Sequence, residues 1–252
     1  IRLKLRQGLR YSRLVLNLLS GGVFIESCYR FPSISKIKFK YLNDYKIFSL
    51  WVGDLNRSMN VKVHVTGEIM PEQGLFVSNH ISWLDTIVLS GIKPISFIAR
   101  HDLAHWPFLG TFTSRMQSVF INRDNKFHAY RSIPSIERKL TQGRSVHVFP
   151  EGTTSVGNTV LPFFSMFYEA AVRTGRPVQP VVISYTDADG NLLPEPAYID
   201  DDTFGDTLAR MFLVDRIYAH VHFLSPMDSK LLGRKELGLR SRDAILKRIK
   251  GD

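Results

Sequence analysis

The sequence predicts an α/β fold with a mostly parallel central sheet flanked by helices. Three observations predict it. From about residue 60 onward, short apolar runs alternate with longer segments of helical pattern. The polar residues of most chemical interest, Asn79-His80 and Pro150-Glu151, follow two of those runs, which is where sites form beyond the carboxyl ends of parallel strands. The composition, 44% hydrophobic and 22% charged over 252 residues, is that of a globular chain with a sizeable core.

Residues 1–13 alternate basic and apolar side chains, and Leu14 to Phe31 is largely apolar. That length approaches a membrane span, but Asn17, Gly21-Gly22 and Glu26 interrupt it. Three readings stand. It is a helix lying in a membrane interface, with Arg2, Lys4, Arg6, Arg10, Arg13 and Arg30 at the headgroups; a single span; or a helix packed on the core. No small-residue cleavage pattern follows, so a signal peptide is not expected. After Pro32, basic Lys36, Lys38, Lys40 and Lys46 alternate with apolar residues, and residues 42–59 read as a second helix. The division expected is a membrane-associating helical segment, 1–59, and an α/β domain, 60–252.

In that domain Val61, Val63 and Val65 form a period-two strand ending at Gly67. Strands are expected at Leu75–Val77, Ile95–Ala99, Ser118–Ile121, Val146–Phe149, Val178–Ser184 and Tyr218–Leu224. Helices are expected at Trp83–Leu89, Pro107–Arg115, His128–Gln142 (closed by Gly143), Phe164–Arg173 (closed by Gly175) and residues 235–249. Asp187 to Asp206 holds seven acids and no base and reads as a solvated loop region. Its Asp200-Asp201-Asp202 run lacks EF-hand ligand spacing.

The formal net charge is +10 and is concentrated at the ends. Residues 1–50 carry ten Lys/Arg against Glu26 and Asp44, and residues 225–252 carry eight against four. Basic ends on a near-neutral body suit a polyanionic surface, either nucleic acid or an anionic membrane leaflet. The single Cys28 excludes an internal disulfide framework and a cysteine metal cluster. His101 and His105 lack the Glu of a zinc-protease helix. His64, His147, His220 and His222 sit in strand-like runs and read as structural. No Gly-rich phosphate loop of nucleotide enzymes is present.

The stretch around which the chain is organised is Ser78-Asn79-His80-Ile81-Ser82-Trp83-Leu84-Asp85. Two residues five apart in one helix point about 140° away from each other. His80 and Asp85 therefore meet best if His80 lies in the turn before the helix and Asp85 one turn inside it. Asp85 then holds Nδ1–H and leaves Nε2 as a general base. Taken alone, such a pair also reads as a helix cap or a satisfied polar pair. Ser78 and Ser82 flank His80 but lie in no Gly-x-Ser-x-Gly elbow.

Asn-His-x-x-x-x-Asp at residues 79–85, followed by Phe149-Pro150-Glu151-Gly152-Thr153, resembles the lysophosphatidic acid acyltransferase family, in particular its bacterial members. Phe120-Ile121-Asn122-Arg123 is similar to its second motif, Val178-Gln179-Pro180-Val181-Val182 to its fourth, and Trp106 to Gly110 to its Pro-x-x-Gly element. The resemblance implies the family's α/β fold, His80 and Asp85 as catalytic residues, and Arg123, Glu151, Gly152 and Thr153 as acceptor-binding residues. Asn79, Ser82, Pro150 and Pro180 are expected to support them. Arginine suits a phosphate monoester because its planar fork binds two oxygens. Lys126 and Arg131 either assist or form a solvated helix face. Glu151 is expected to accept from an acceptor hydroxyl or to fix Arg123, and the Gly152 and Thr153 N–H groups are candidates for meeting an oxyanion.

The implied reaction moves a fatty acyl chain from acyl-carrier protein or acyl-coenzyme A to the free hydroxyl of a lysolipid. The acceptor expected is 1-acyl-glycerol-3-phosphate, giving phosphatidic acid in phospholipid biosynthesis. Asn158, Leu161, Pro162 and Phe163 also resemble bacterial members that acylate lyso-ornithine lipid; Arg123 would there meet a carboxylate. No metal and no cofactor are expected, and the partner surface expected is the anionic cytoplasmic face of the inner membrane. The rival classes are a nucleic-acid-binding protein, for which no motif appears, a membrane-surface scaffold, and a metal-dependent hydrolase.

Overall fold

A computed structural model describes residues 2–30, 44–100, 119–121, 130 and 132–251. The expected helix at 107–115, the Trp106 to Gly110 element, His101, His105, Arg123, Lys126 and Arg131 lie outside these residues.

Helix α1 runs Arg2–Arg30 without a break, so the basic–apolar leader belongs to the same helix as the apolar stretch after it. Helix α2, Asp44–Ser58, packs on it. Strand β1 (Val61–Gly67) precedes β2 (Leu75–Ser78), α3 (Trp83–Ser90), β3 (Ile95–Arg100) and β4 (Val119–Ile121). Then come α4 (Ile133–Thr141), β5 (Ser145–Val148), a short 3-10 turn leading into α5 (Tyr168–Thr174), and β6 (Val178–Thr186). Helix α6 (Phe204–Leu213), β7 (Ile217–Phe223) and α7 (Arg234–Lys250) complete the described chain.

Helix α6 was not expected from the sequence. Its signal is Thr203 with Asp206, each side chain accepting from the other's backbone N–H, hidden at the end of the acidic stretch. Before it, Arg210 clasps Asp202 through both terminal nitrogens at 2.6 and 2.5 Å.

The seven strands lie in the order β1-β7-β6-β2-β5-β3-β4. Every neighbouring pair is parallel except β6–β7, so the sheet is mixed but mostly parallel. Central β2 and β5 are buried along their whole length, as strands covered on both faces must be. One core joins α1, α2, α3 and α6 to one face through Leu14, Val52, Leu84 and Phe212. The other face is covered by α4, α5 and α7 through Ile136, Tyr168 and Leu237. Beta-strands 2, 5 and 6 therefore end side by side at one edge of a two-sided sandwich, and the site is built there.

Two of the amino-terminal arginines, Arg6 and Arg10, depart from the expected headgroup role. Arg10 donates to the carbonyls of Phe212, Val214 and Asp215 at 2.5 to 2.9 Å. Arg6 donates to the Leu213 carbonyl at 2.8 Å and pairs with Asp215. These carbonyls are the orphan acceptors at the end of α6. Two of the basic residues thus fasten α1 to the domain.

Candidate active site

Strand β2 ends at Ser78, and the chain turns through Asn79–Ser82 before α3 begins. Asn79, fully buried, donates to the Ile183 carbonyl at 2.8 Å and accepts the Ile183 N–H at 2.9 Å. It acts as one more rung between β2 and β6 beyond the point where β2 stops. His80 follows it, with its ring stacked on Phe149 at a centroid separation of 3.8 Å.

His80 Nδ1 lies 2.7 Å from Asp85 Oδ2, the geometry expected from their spacing. Asp85 is fully buried, while the His80 side chain keeps 14% of its exposure. Oδ2 also accepts the backbone N–H groups of Ile81 and Ser82 at 2.7 and 3.0 Å. Oδ1 accepts the hydroxyl of Tyr185, on β6, at 2.6 Å. Burial pushes the Tyr185 hydroxyl well above its ordinary range, and the Asp85 charge adds to that, so it stays a proton donor. A buried carboxylate needs such donors to remain in place. With Nδ1 committed to Asp85, Nε2 has no protein partner among the described residues.

The backbone of the turn is held from four sides. His80 N–H donates to Glu151 Oε1 at 2.7 Å, and the His80 carbonyl accepts from Ser155 N–H at 2.9 Å. Ile81 donates to Asp85 and its carbonyl accepts from Tyr198 N–H at 2.9 Å. Glu151 Oε2 accepts Leu161 N–H at 2.8 Å, so one buried carboxylate ties the His80 turn to the 150–164 loop. Burial raises the Glu151 carboxyl to about 7 despite those two N–H groups and Arg242, which pull it down. Arg242, from α7, holds the same loop through the carbonyls of Val160 and Leu161 at 2.7 and 3.0 Å.

A family model described as Acyltransferase matches residues 61–184, a span that contains His80, Asp85 and Glu151. The lyso-ornithine lipid O-acyltransferase of Pseudomonas aeruginosa is 31% identical over 198 residues, 77% of this chain and 75% of that protein. The chain belongs to the acyltransferase family. The 1-acyl-sn-glycerol-3-phosphate acyltransferase of Neisseria meningitidis is 37% identical over 134 residues, but this stretch is 52% of the chain and 51% of the relative; the match spans about half of each. The 1-acyl-sn-glycerophosphate acyltransferase of Thermotoga maritima superposes with a TM-score of 0.64 at 21% identity. It covers 96% of this chain and 97% of its own, and so shares the fold.

In this acyltransferase the expected site residues divide. His80, Asp85, Asn79 and Glu151 converge at the ends of β2 and β5. Glu151 is turned inward, and both of its oxygens accept backbone N–H groups. Gly152 takes a positive φ of 75°, and an added Cβ would meet the Phe164 ring at 2.9 Å. Its N–H donates to the Phe149 carbonyl at 3.2 Å, closing the turn, which gives that N–H a partner other than an oxyanion. Thr153 is exposed. The Pro150 carbonyl accepts Phe164 N–H at 2.8 Å and closes the loop. Ser82 contributes its backbone N–H; its buried hydroxyl has no partner among the described residues. Pro180 sits inside β6 opposite Val77, below the level of His80. Arg123 lies outside the described residues, although β4 runs parallel to β3 and ends at the same edge of the sheet.

Tyr185 is the residue that sequence reasoning missed. It stands 100 positions from Asp85, and only the pairing of β6 with β2 brings the two together. His147, read as structural, is buried with Nε2 2.9 Å from Ser78 Oγ. Burial, with His80 nearby, lowers it to about 3 and holds it neutral.

Proposed function

We propose that this acyltransferase transfers a fatty acyl group from a thioester, carried by acyl-carrier protein or coenzyme A, to the hydroxyl of a lysolipid. The observation that carries the mechanism is the His80–Asp85 pair with Nε2 left open. Nε2 takes the proton of the acceptor hydroxyl as its oxygen attacks the thioester carbonyl. The tetrahedral intermediate collapses, the carbon–sulfur bond breaks, and the leaving thiolate takes the proton back from the imidazolium. Asp85 fixes the tautomer and balances the transient positive charge, and Tyr185 is a positioning residue that holds Asp85. The transfer is direct, with no acyl-enzyme, metal or cofactor.

The acceptor read first is 1-acyl-glycerol-3-phosphate, supported by the Neisseria relative's name, with Arg123 and Thr153 on the acceptor side. A second reading, lyso-ornithine lipid, is favoured by the Pseudomonas relative, whose match reaches 77% of the chain. We assign residues 1–59 to membrane association and 60–252 to catalysis, at the cytoplasmic face of the inner membrane. Among the described residues no helix is long and apolar enough to cross a membrane. What supports an interfacial role is that Leu5, Leu9, Leu16, Leu19 and Val23 of α1 are each more than half exposed. At 100° per residue they fall in one stripe.

The test is transfer from a labelled acyl-thioester to a panel of lysolipids by the wild type and by His80→Ala. Loss of transfer in the variant, on the order of 100-fold or more, supports the reading, and the preferred acceptor chooses between the two substrates. Equal activity in both proteins removes His80 as the base.

A further inference from the structure

We propose a second anion site in this protein, separate from the catalytic pair, that takes the phosphate of a phospholipid headgroup. It is a cavity of about 540 Å³ where α1 and α2 meet the beginnings of β1 and β7. Arg13, Arg57, Lys62 and Arg216 line it together with Asn56 and Asn60, and among the described residues no carboxylate does. Three of these cations, Arg13, Lys62 and Arg216, have no acid among the described residues and repel one another until an anion joins them.

The contrast along α1 shows that this cluster is not a by-product of a basic helix. Arg6 and Arg10 are used up by the carbonyls and carboxylate at the end of α6. Arg13, one turn on, has no hydrogen-bonding or ionic partner among the described residues, and neither has Arg216. Lys62 rests over the Tyr218 ring at 5.8 Å. Among the described residues, of these four cations only Arg57 has an acid, the exposed Asp54 of its own helix.

The source of the phosphate follows from what borders the cavity. Arg13 is four residues from Leu9 and three from Leu16, so the three are neighbours on the surface of α1. Both leucines are exposed, at 59% and 65%. A cation cluster opening beside exposed apolar side chains fits a molecule with a phosphate at one end and acyl chains at the other. A soluble phosphate needs no such stripe.

The acceptor's own phosphate does not fill it. The beginnings of β1 and β7 lie at the sheet end where β2 stops, but β1 is three strands from β2. At roughly 4.8 Å per strand, the offset is about 14 Å. A phosphate four bonds from a reacting hydroxyl reaches at most about 6 Å. The lipid held here is therefore a bystander that seats the protein on the bilayer. The proposal rests on the reading that the protein works at a membrane, not on the chemistry of His80.

The experiment is flotation of the full chain with phosphatidylcholine vesicles, alone or doped with phosphatidylglycerol or, at equal surface charge, with oleate. Three proteins are compared: wild type, Arg13→Gln/Lys62→Gln/Arg216→Gln, and a control of equal charge loss on the far face, Lys235→Gln/Lys247→Gln/Lys250→Gln. The site variant is expected to lose about fivefold in affinity per cation on phosphatidylglycerol vesicles, on the order of 100-fold in all. The control is expected to lose less than about threefold. Transfer to a detergent-dispersed acceptor stays at the wild-type rate in both. Binding by His80→Ala is expected to match wild type, which separates this proposal from the catalytic one. An equal loss in the control, equal binding to oleate vesicles, or full displacement by inorganic phosphate would each overturn a headgroup site.

Discussion

Replacing Tyr185 by Phe isolates one hydrogen bond. The ring is fully buried and stays; only the hydroxyl that meets Asp85 Oδ1 at 2.6 Å is removed. Asp85 Oδ2 retains three donors, but Oδ1 loses the only one it has among the described residues. A hydrogen bond to a charged group contributes about 1.5–3 kcal/mol, and a buried oxygen left without a donor bears that loss in full. For a chain of this size that corresponds to a fall in Tm of about 3–12 °C. The catalytic effect is a separate matter, because a cost shared by ground and transition states leaves kcat unchanged. What changes kcat is the carboxylate's freedom to rotate, which misdirects the imidazole; a displacement of about 1 Å costs on the order of 100-fold. We therefore expect kcat to fall about 10- to 100-fold with KM for both substrates within about twofold. The assay is steady-state transfer by wild type, Tyr185→Phe, Asp85→Asn and the double variant. If Tyr185 acts through Asp85, the double variant is no slower than Asp85→Asn. Independent, multiplying losses, or an unchanged kcat in Tyr185→Phe, would refute the positioning role.

Other consequences are open to measurement. Glu151 sits at about 7 against an ordinary 4.5, so between those values the folded state binds more protons than the unfolded one. Stability then falls as pH rises from about 4.5 to 7, by on the order of 3 kcal/mol, and levels off above; urea unfolding at pH 5 and 8 reads it, and Glu151→Gln flattens this slope. The same variant turns an amide –NH2 toward one of two backbone N–H groups, and is expected to lower kcat about tenfold by loosening the His80 turn. Gly157→Ala places a Cβ 2.6 Å from Ile81 at a φ of 89° and should cost about 1–3 kcal/mol in thermal unfolding. Leu9→Asp/Leu16→Asp should reduce sedimentation with vesicles more than tenfold while leaving the circular dichroism spectrum unchanged.

How far the sequence could be read depended on how local each feature was. His80 and Asp85 are five residues apart, and helix geometry alone placed one before α3 and one within it; the observed 2.7 Å contact is that arrangement. Strand β2 was legible because it is covered on both faces and reads as the apolar run Leu75-Phe76-Val77. Helix α6 was hidden because its cap and its acidic approach look the same as a solvated loop until Arg210 neutralises Asp202. Glu151 was legible as important but not in its direction. A carboxylate in a motif paired with His80 suggests a substrate ligand, and only the loop's return at Leu161 shows what the second oxygen holds.

Tyr185 marks the boundary most clearly. Nothing in Ile183-Ser184-Tyr185 distinguishes it from a core aromatic on an alternating strand, and its hydroxyl acquires meaning only from the register that sets Ser78 against Val181. Two strands in parallel register advance together, so β6, which runs on after β2 has turned, delivers its later residues to the site. Ile183 meets Asn79 and Tyr185 meets Asp85 for that reason. The His80–Asp85 pair is thus written in one short segment, but what holds it still is written in the strand beside it. A slip of β6 by a single residue would turn Tyr185 to the opposite face of the sheet and leave Asp85 buried with one oxygen bare. Asn79, bonded at both ends to Ile183, pins that register at the place where the ladder of β2 runs out, which makes it as much a part of the site as the residues it never touches.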